Sequence, residues 1–188
     1  MTIWFTSDTH FGHDKIIGLC NRPYASLEEM DEALIKNWNA KVSKSELVYH
    51  CGDVSLAKDG SKIPQYVGRL NGQIHLVMGN HDQKRAKFLS GFADVKPYKE
   101  VKYNSQKIIL CHYAFKVWNS SHHGSWNLHG HSHGKLPRDF KAKQLDVGVD
   151  CWNYAPISFE EISKELEKHV FVPVDHHGNR DFDYKESL

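Results

Sequence analysis

The stretch from Glu46 to Asp82, ELVYHCGDVSLAKDGSKIPQYVGRLNGQIHLVMGNHD, decides the fold. Glu46 to Cys51 is a short apolar run closed by Gly52-Asp53, a strand running into a loop. Ile63 to Leu70 reads as a helix that stops near Asn71-Gly72, and Ile74 to Met78 is another strand, closed by Gly79-Asn80. Upstream, Thr2 to Thr6 is a β-rich run ending in Ser7-Asp8. Ser26 and Glu29 form a capping-box pattern. Behind it Leu27, Met30, Leu34 and Trp38 repeat at helical spacing, which predicts a helix of about three turns. Successive βα units with short apolar strands argue for a largely parallel, buried sheet.

The second half changes style. Glu100 to Tyr103 and Lys107 to Cys111 flank Asn104-Ser105-Gln106 in the manner of a hairpin. Asn127 to His129 and Gln144 to Val149 are further strand candidates, and Ser158 to His169 reads as a capped helix with Ile162 and Leu166 on one face. No repeat or linker divides the chain, so residues 1–188 are expected to form one α/β domain. The polar, charged tail from about residue 174 is expected to be loosely held.

Composition narrows the class. A net charge of +1 creates no overall field toward nucleic acid or an anionic membrane. No apolar run approaches the roughly 18–20 residues that cross a bilayer. The N-terminus lacks the pattern of a signal peptide, so a cytoplasmic location is expected, with no obligate protein partner evident. Cys20, Cys51, Cys111 and Cys151 form no CxxC pair and read as small buried thiols. The 14 histidines are different, because several stand beside Gly and Asp where packing does not require them.

Those histidines fall in a pattern. Asp8-x-His10, Gly52-Asp53, Gly79-Asn80-His81-Asp82, Cys111-His112 and Gly130-His131-Ser132-His133 each follow a strand-like run. In α/β sheets ligand sites form at the carboxyl ends of strands, so the five clusters are expected to converge. Asp8 and His10 are two apart and would face one way in extended chain, as would His131 and His133. Carboxylate, imidazole and amide oxygen suit borderline divalent ions such as Mn²⁺, Fe²⁺, Co²⁺, Ni²⁺ or Zn²⁺. Seven ligands exceed one tetrahedral zinc but serve two ions if one carboxylate bridges, and Asp53, in the middle of the order, is the natural bridge. Two ions roughly 3.5–4 Å apart can clamp the attacking and leaving oxygens of a displacement at phosphorus.

In these blocks the sequence resembles the calcineurin-like metallophosphoesterases, whose D-x-H, GD, GNH[D/E], lone H and GH-x-H pattern is met in order over roughly residues 3 to 150. The wording DTHFGH, with RPY and NWN downstream, is similar to the small, uncapped bacterial and phage members. The resemblance implies a four-layer α/β/β/α sandwich. It implies that Asp8, His10, Asp53 and His133 hold one ion, and that Asp53, Asn80, His112 and His131 hold the other. Manganese is the first expectation, with iron, nickel, cobalt or zinc as alternatives. A hydroxide bridging the ions would attack in line, His81 would contact the phosphate and protonate the leaving oxygen, and Asp82 would orient His81 or cap the following helix.

The substrate is then a phosphoester. No insertion is large enough to form a cap, and an open site suits diesters or the ends of nucleotides and nucleic acids. A phosphodiesterase is therefore expected ahead of a phosphomonoesterase of the same mechanism. A non-catalytic binding module on this fold would have lost ligands that are all present here, and a di-iron oxidase has no helical Glu-x-x-His pattern behind it. His13 is weighed as a substrate contact or a helix cap, and Arg22 as a phosphate clamp or a surface residue. His129 shares a face with His131 and could support it. His122-His123 and His176-His177 read as exposed loop pairs, Trp118, Trp126 and Trp152 as packing, and Asp146 and Asp150 as the end of a supporting strand.

Overall fold

Three parallel strands carry the quoted stretch and its upstream neighbour in the computed structural model, which describes residues 2–174. They are β1 (Ile3–Thr6), β2 (Leu47–His50) and β3 (Gln73–Val77). Phe5 lies opposite Tyr49 and Tyr49 opposite His75, so the three rings stack along one face. Side chains alternate across a strand, and here both faces are covered. Phe5, Tyr49 and Val77 enter a core between two sheets, while Val48, Ile74 and Leu76 enter one beneath helices.

Two edge strands complete this first sheet in the order β4-β3-β2-β1-β9. β4 (Asp94–Lys96) runs parallel to β3, and β9 (Ile157–Ser158) antiparallel to β1. Neither was expected. Three and two residues are too short to show a period, so pairing with a formed neighbour makes them strands.

The helices over this sheet follow from their caps. Ser26 accepts from the Glu29 amide at 3.1 Å and opens α2 (Leu27–Lys41), a turn longer than expected. Met30, Leu34, Ile35 and Trp38 are buried, and each such side chain contributes roughly 1.5–3 kcal/mol. Trp38 Nε1 donates to the Asn71 carbonyl (2.8 Å), tying α2 to the turn before β3. α1 (Ile16–Leu19) is a single turn. α3 (Ile63–Val67) stops at Gly68 rather than at Leu70, its last residues closing as turns onto Pro64 and Tyr66.

The second sheet has the order β5-β6-β7-β8, from β5 (Lys99–Tyr103), β6 (Gln106–Leu110), β7 (Trp126–His129) and β8 (Gln144–Asp146). β5 and β6 form the expected hairpin, with Asn104 and Ser105 alone as its loop. Both have positive φ (46° and 65°), the conformation a two-residue turn demands. β6, β7 and β8 are parallel. α5 (Phe159–Glu167) carries the full capping box of Ser158 and Glu161, and it sends Phe159, Ile162 and Leu166 into the core shared by both sheets.

The architecture is thus two facing sheets flanked by helices, the α/β/β/α arrangement. Its fourth layer is thin. The outer face of the second sheet lies under residues 113–125, held by Phe115 N–H to Asn127 Oδ1 (3.1 Å) and Gln144 Nε2 to the Phe115 carbonyl (2.7 Å). Trp126 stacks on Phe159, while Trp118 and Trp152 spend their indole N–H groups on the Ser125 and Asp146 carbonyls. Among the described residues no helix is long and apolar enough to cross a membrane.

Candidate metal centre

The two sheets meet where their parallel strands end. Asp8 N–H donates to the Gly52 carbonyl (2.9 Å), Gly130 N–H to the His112 carbonyl (3.0 Å) and Val149 N–H to the Ser7 carbonyl (3.0 Å). These links carry the loops after β1, β2, β6, β7 and β8 to one place, with α4 (Asn80–Gln83), which starts at Gly79 after β3, beside them. The glycines permit the approach. A Cβ on Gly79 would collide with Asp53 Oδ1, and one on Gly130 with Asp8 Oδ2.

The backbone there is strained. Asp8, His10, Asp53, His131 and His133 have φ of 58°, 54°, 56°, 69° and 48°. The expected extended geometry around Asp8-x-His10 and His131-x-His133 is therefore absent, and left-handed residues aim the side chains instead. A left-handed L-residue costs roughly 1–3 kcal/mol, and such strain persists where surrounding contacts enforce it.

The candidate ligands fall into two groups. Asp8, His10 and His133 form one, and Asp53, His112 and His131 the other, with ligand atoms inside each group within 4.8 Å of one another. In the first, Asp8 Oδ1 lies 3.8 Å from His10 Nε2 and 3.9 Å from His133 Nε2. Two atoms bound to one ion at about 2.0–2.2 Å lie at most about 4.4 Å apart, so these spacings admit a shared ion. Asp8 Oδ1 and His10 Nε2 are buried and have no hydrogen-bond partner, whereas Asp8 Oδ2 accepts from the His131 amide (2.9 Å). Unpaired buried polar atoms are costly, and a divalent cation satisfies both. The donor set fits a metal on that observation.

Burial dominates the acidity of Asp8 and His10. It pushes Asp8 up to about 7 against the pull of the neighbouring His112 and His133, and it drives His10 well below its ordinary value. His133 is raised: burial opposes its charge, but its Nδ1 bond to Asp150 Oδ2 (2.7 Å) and the charges of Asp8 and Asp150 prevail.

In the second group Asp53 Oδ1 accepts from the His81 amide (2.9 Å), which leaves Oδ2 directed at three imidazoles. Oδ2 lies 3.3 Å from His112 Nε2 and 3.8 Å from both His10 Nε2 and His81 Nε2. Asn80 Oδ1 is 3.1 Å from His112 Nε2, while His112 Nδ1 donates to the Cys51 carbonyl (2.8 Å). That bond fixes Nε2 as the coordinating nitrogen. Burial opposes charge on both Asp53 and His112, but their mutual contact outweighs it, taking Asp53 down to about 2 and His112 up to about 9.

Two assignments need correction. Arg22 is only 4% exposed and its guanidinium is fully engaged. It donates to both Asp150 oxygens (2.8 and 2.9 Å) and to the Thr9 and Asp8 carbonyls (2.9 and 2.7 Å), so it cannot clamp a substrate phosphate. It is a brace between the Asp8–His10 loop and the carboxylate behind His133. Asp82 does not reach the His81 ring. Its carboxylate accepts from the amides of Asp53 (2.7 Å), Val54 (3.1 Å) and Gly79 (2.8 Å), so it caps α4 and pins the Gly52-Asp53 loop.

His13 is at the site, its Nδ1 3.3 Å from His10 Nδ1. His81 has a side chain 39% exposed. His129 is buried and bonds the neighbouring Gly130 carbonyl, not a candidate ligand. His122 and His123 sit in a three-residue turn (Ser121–His123), while His176 and His177 lie outside the described residues, as does nearly all of the tail from about 174. Contributors at two places went unnoticed in the sequence. Thr9 Oγ1 donates to the Val54 carbonyl and accepts from buried His50 Nε2 (3.0 Å), whose Nδ1 takes the Gly52 amide; His50's place just before Gly52-Asp53 was the available signal. Tyr113, directly after His112, is the other, and nothing marked it.

Comparison with known proteins now bears on this geometry. The sequence model of the calcineurin-like phosphoesterases matches residues 1–187. The chain belongs to that family. An uncharacterized protein of Methanocaldococcus jannaschii is 37% identical over 172 residues, covering 88% of this phosphoesterase and 92% of the relative. The gene 66 protein of Mycobacterium phage L5 is 28% identical over 198 residues, covering 89% and 94%. Among solved structures, a protein of unknown function from Aquifex aeolicus superposes with a TM-score of 0.70 at 25% identity, over 87% of this chain and 98% of that one. The family implies a phosphoester substrate.

Proposed function

We propose that this chain hydrolyses phosphodiesters with two divalent ions, one held by Asp8, His10, Asp53 and His133 and one by Asp53, Asn80, His112 and His131. The observation that carries the reading is the position of Asp53 Oδ2. A single carboxylate oxygen lies 3.8 Å from His10 in the first group and 3.3 Å from His112 in the second, where a bridging ligand has to stand. When bound, the ions neutralise phosphoryl charge and make water a nucleophile near neutral pH.

The chain's own residues supply the rest. His81 Nε2 donates a proton to the departing ester oxygen, from a half-open ring anchored through its own amide to Asp53 Oδ1. His112 and His133 are held in orientation by the Cys51 carbonyl and by Asp150. Asp82, beneath the loops, keeps Asp53 and His81 in fixed relation. The edge of the site bears half-buried His81 and exposed His131 and Tyr113, and such an open border favours the diester.

Turnover of bis-p-nitrophenyl phosphate and p-nitrophenyl phosphate by metal-stripped protein, resupplied with Mn²⁺, Ni²⁺, Zn²⁺ or Mg²⁺ in turn, tests the reading. Metal-dependent hydrolysis with the diester preferred is expected. Preference for the monoester would make the protein a phosphatase, and no turnover with any ion would remove the enzymatic reading.

A further inference from the structure

We propose that Tyr113 contacts the ester group that stays on phosphorus, and so sets the preference for diesters over monoesters; this rests on the phosphodiesterase reading above. The chain turns at the end of β6 so that His112 is buried at 1% exposure while Tyr113, the next residue, is 45% exposed. Its ring does not drift into solvent. It stands edge-on to His131 (4.8 Å between centroids) and His112 (5.1 Å), with its hydroxyl 3.4 Å from Asn80 Oδ1.

Tyr113 therefore borders the Asn80–His112–His131 side of the site. His81 borders the other side, with Asp53 3.8 Å and the His10 ring 5.7 Å away. A phosphate over Asp53 would have its leaving oxygen served by His81 and its remaining substituents directed toward Tyr113. The chemistry of the ring then discriminates. A half-exposed phenol offers an apolar face and one hydroxyl, which suits the carbon skeleton of an ester group, a base or a sugar. The free, charged oxygen of a monoester gains little from that face. Contact between an aromatic side chain and one ring of a ligand is worth about 5- to 100-fold on truncation.

The test compares wild type, Tyr113→Ala and Tyr113→Phe on bis-p-nitrophenyl phosphate and p-nitrophenyl phosphate, with bound metal counted in each. Tyr113→Ala is expected to lower kcat/KM for the diester about 5- to 100-fold, chiefly through KM, and to leave the monoester within about twofold. Tyr113→Phe, which keeps the ring, is expected to retain most diester activity, and both variants to retain their metal. Equal losses on both esters, or loss of metal, would make Tyr113 a packing residue and overturn the proposal, as would an unchanged diester rate. Wild type that turns over neither ester would remove the diesterase reading itself, an outcome distinct from an active diesterase indifferent to Tyr113.

Discussion

The Asp8–His10–His133 group and the Asp53–Asn80–His112–His131 group use similar ligands but satisfy them differently. In the first, Asp8 Oδ1 and His10 Nε2 are buried with no partner, and order comes from behind, through Asp150 on His133 and Arg22 on Asp150. In the second, the ligands satisfy one another: His112 Nε2 sits against both Asp53 Oδ2 and Asn80 Oδ1, with its proton standing where a cation would. The first half is a buried polar socket with unpaired ligand atoms, held by a scaffold, and the second a charged cluster that closes on itself. The difference teaches that the same ligand chemistry can be prepared by burial or by mutual pairing, and the two predict different responses to metal, mutation and pH.

Asp53 belongs to both halves, so its loss should erase the comparison. Asp53→Ala is expected to abolish two-ion binding and to lower turnover by more than about 10⁴-fold, beyond the span of general acid catalysis; metal counting and ester kinetics check it. Next in size is His81→Ala, which should keep both ions and lose about 10²–10⁴-fold in kcat. Turnover at the wild-type rate would remove His81 as the acid.

Asp150→Asn separates the halves. It weakens the hold on His133 and on Arg22 without touching the Asp53 side, and loss of such an orienting partner costs about 10–100-fold in metal affinity. Calorimetric titration should show one of two binding steps weakened and the other unchanged. Equal weakening of both would show that the scaffold serves the whole centre.

The smallest effect concerns the self-paired half in metal-free protein. His112 titrates at about 9 in the fold and near 6.5 when unfolded, so its stabilisation is complete below pH 6.5 and is lost as pH rises through 9. Asp8, raised to about 7, titrates at the low end of that window and adds to the loss with the same sign, while the buried and lowered His10 and His50 change below it. Denaturant unfolding between pH 6.5 and 9.5 should show metal-free protein losing on the order of 1–3 kcal/mol. Metal-loaded protein should lack that loss, because the ion replaces the proton.

The self-paired half was also the more legible in sequence. Gly52-Asp53, Gly79-Asn80-His81 and His112 follow strands whose apolar runs are plain, and the parallel β1–β3 sheet, the Asn104-Ser105 hairpin and the cap of α2 were readable for the same local reasons. The scaffold of the other half was not. Arg22 and Asp150 are separated by 128 residues, and no local pattern joins them. Asp82 looked like a partner of its neighbour His81, yet three loop amides compete for its carboxylate and win by closing buried donors. β4 and β9 exist only through their partners. Tyr113 stood beside a marked histidine, and only the turn of the chain shows that its ring faces the site.

The central claim is a pair of ions joined by Asp53, and titration of metal-free protein with Mn²⁺ during turnover of bis-p-nitrophenyl phosphate tests it most directly. Hydrolysis should stay low through the first equivalent and rise to its maximum with the second, with Asp53→Ala flat throughout. Full turnover at one equivalent, or full turnover by Asp53→Ala, would contradict the bridged centre.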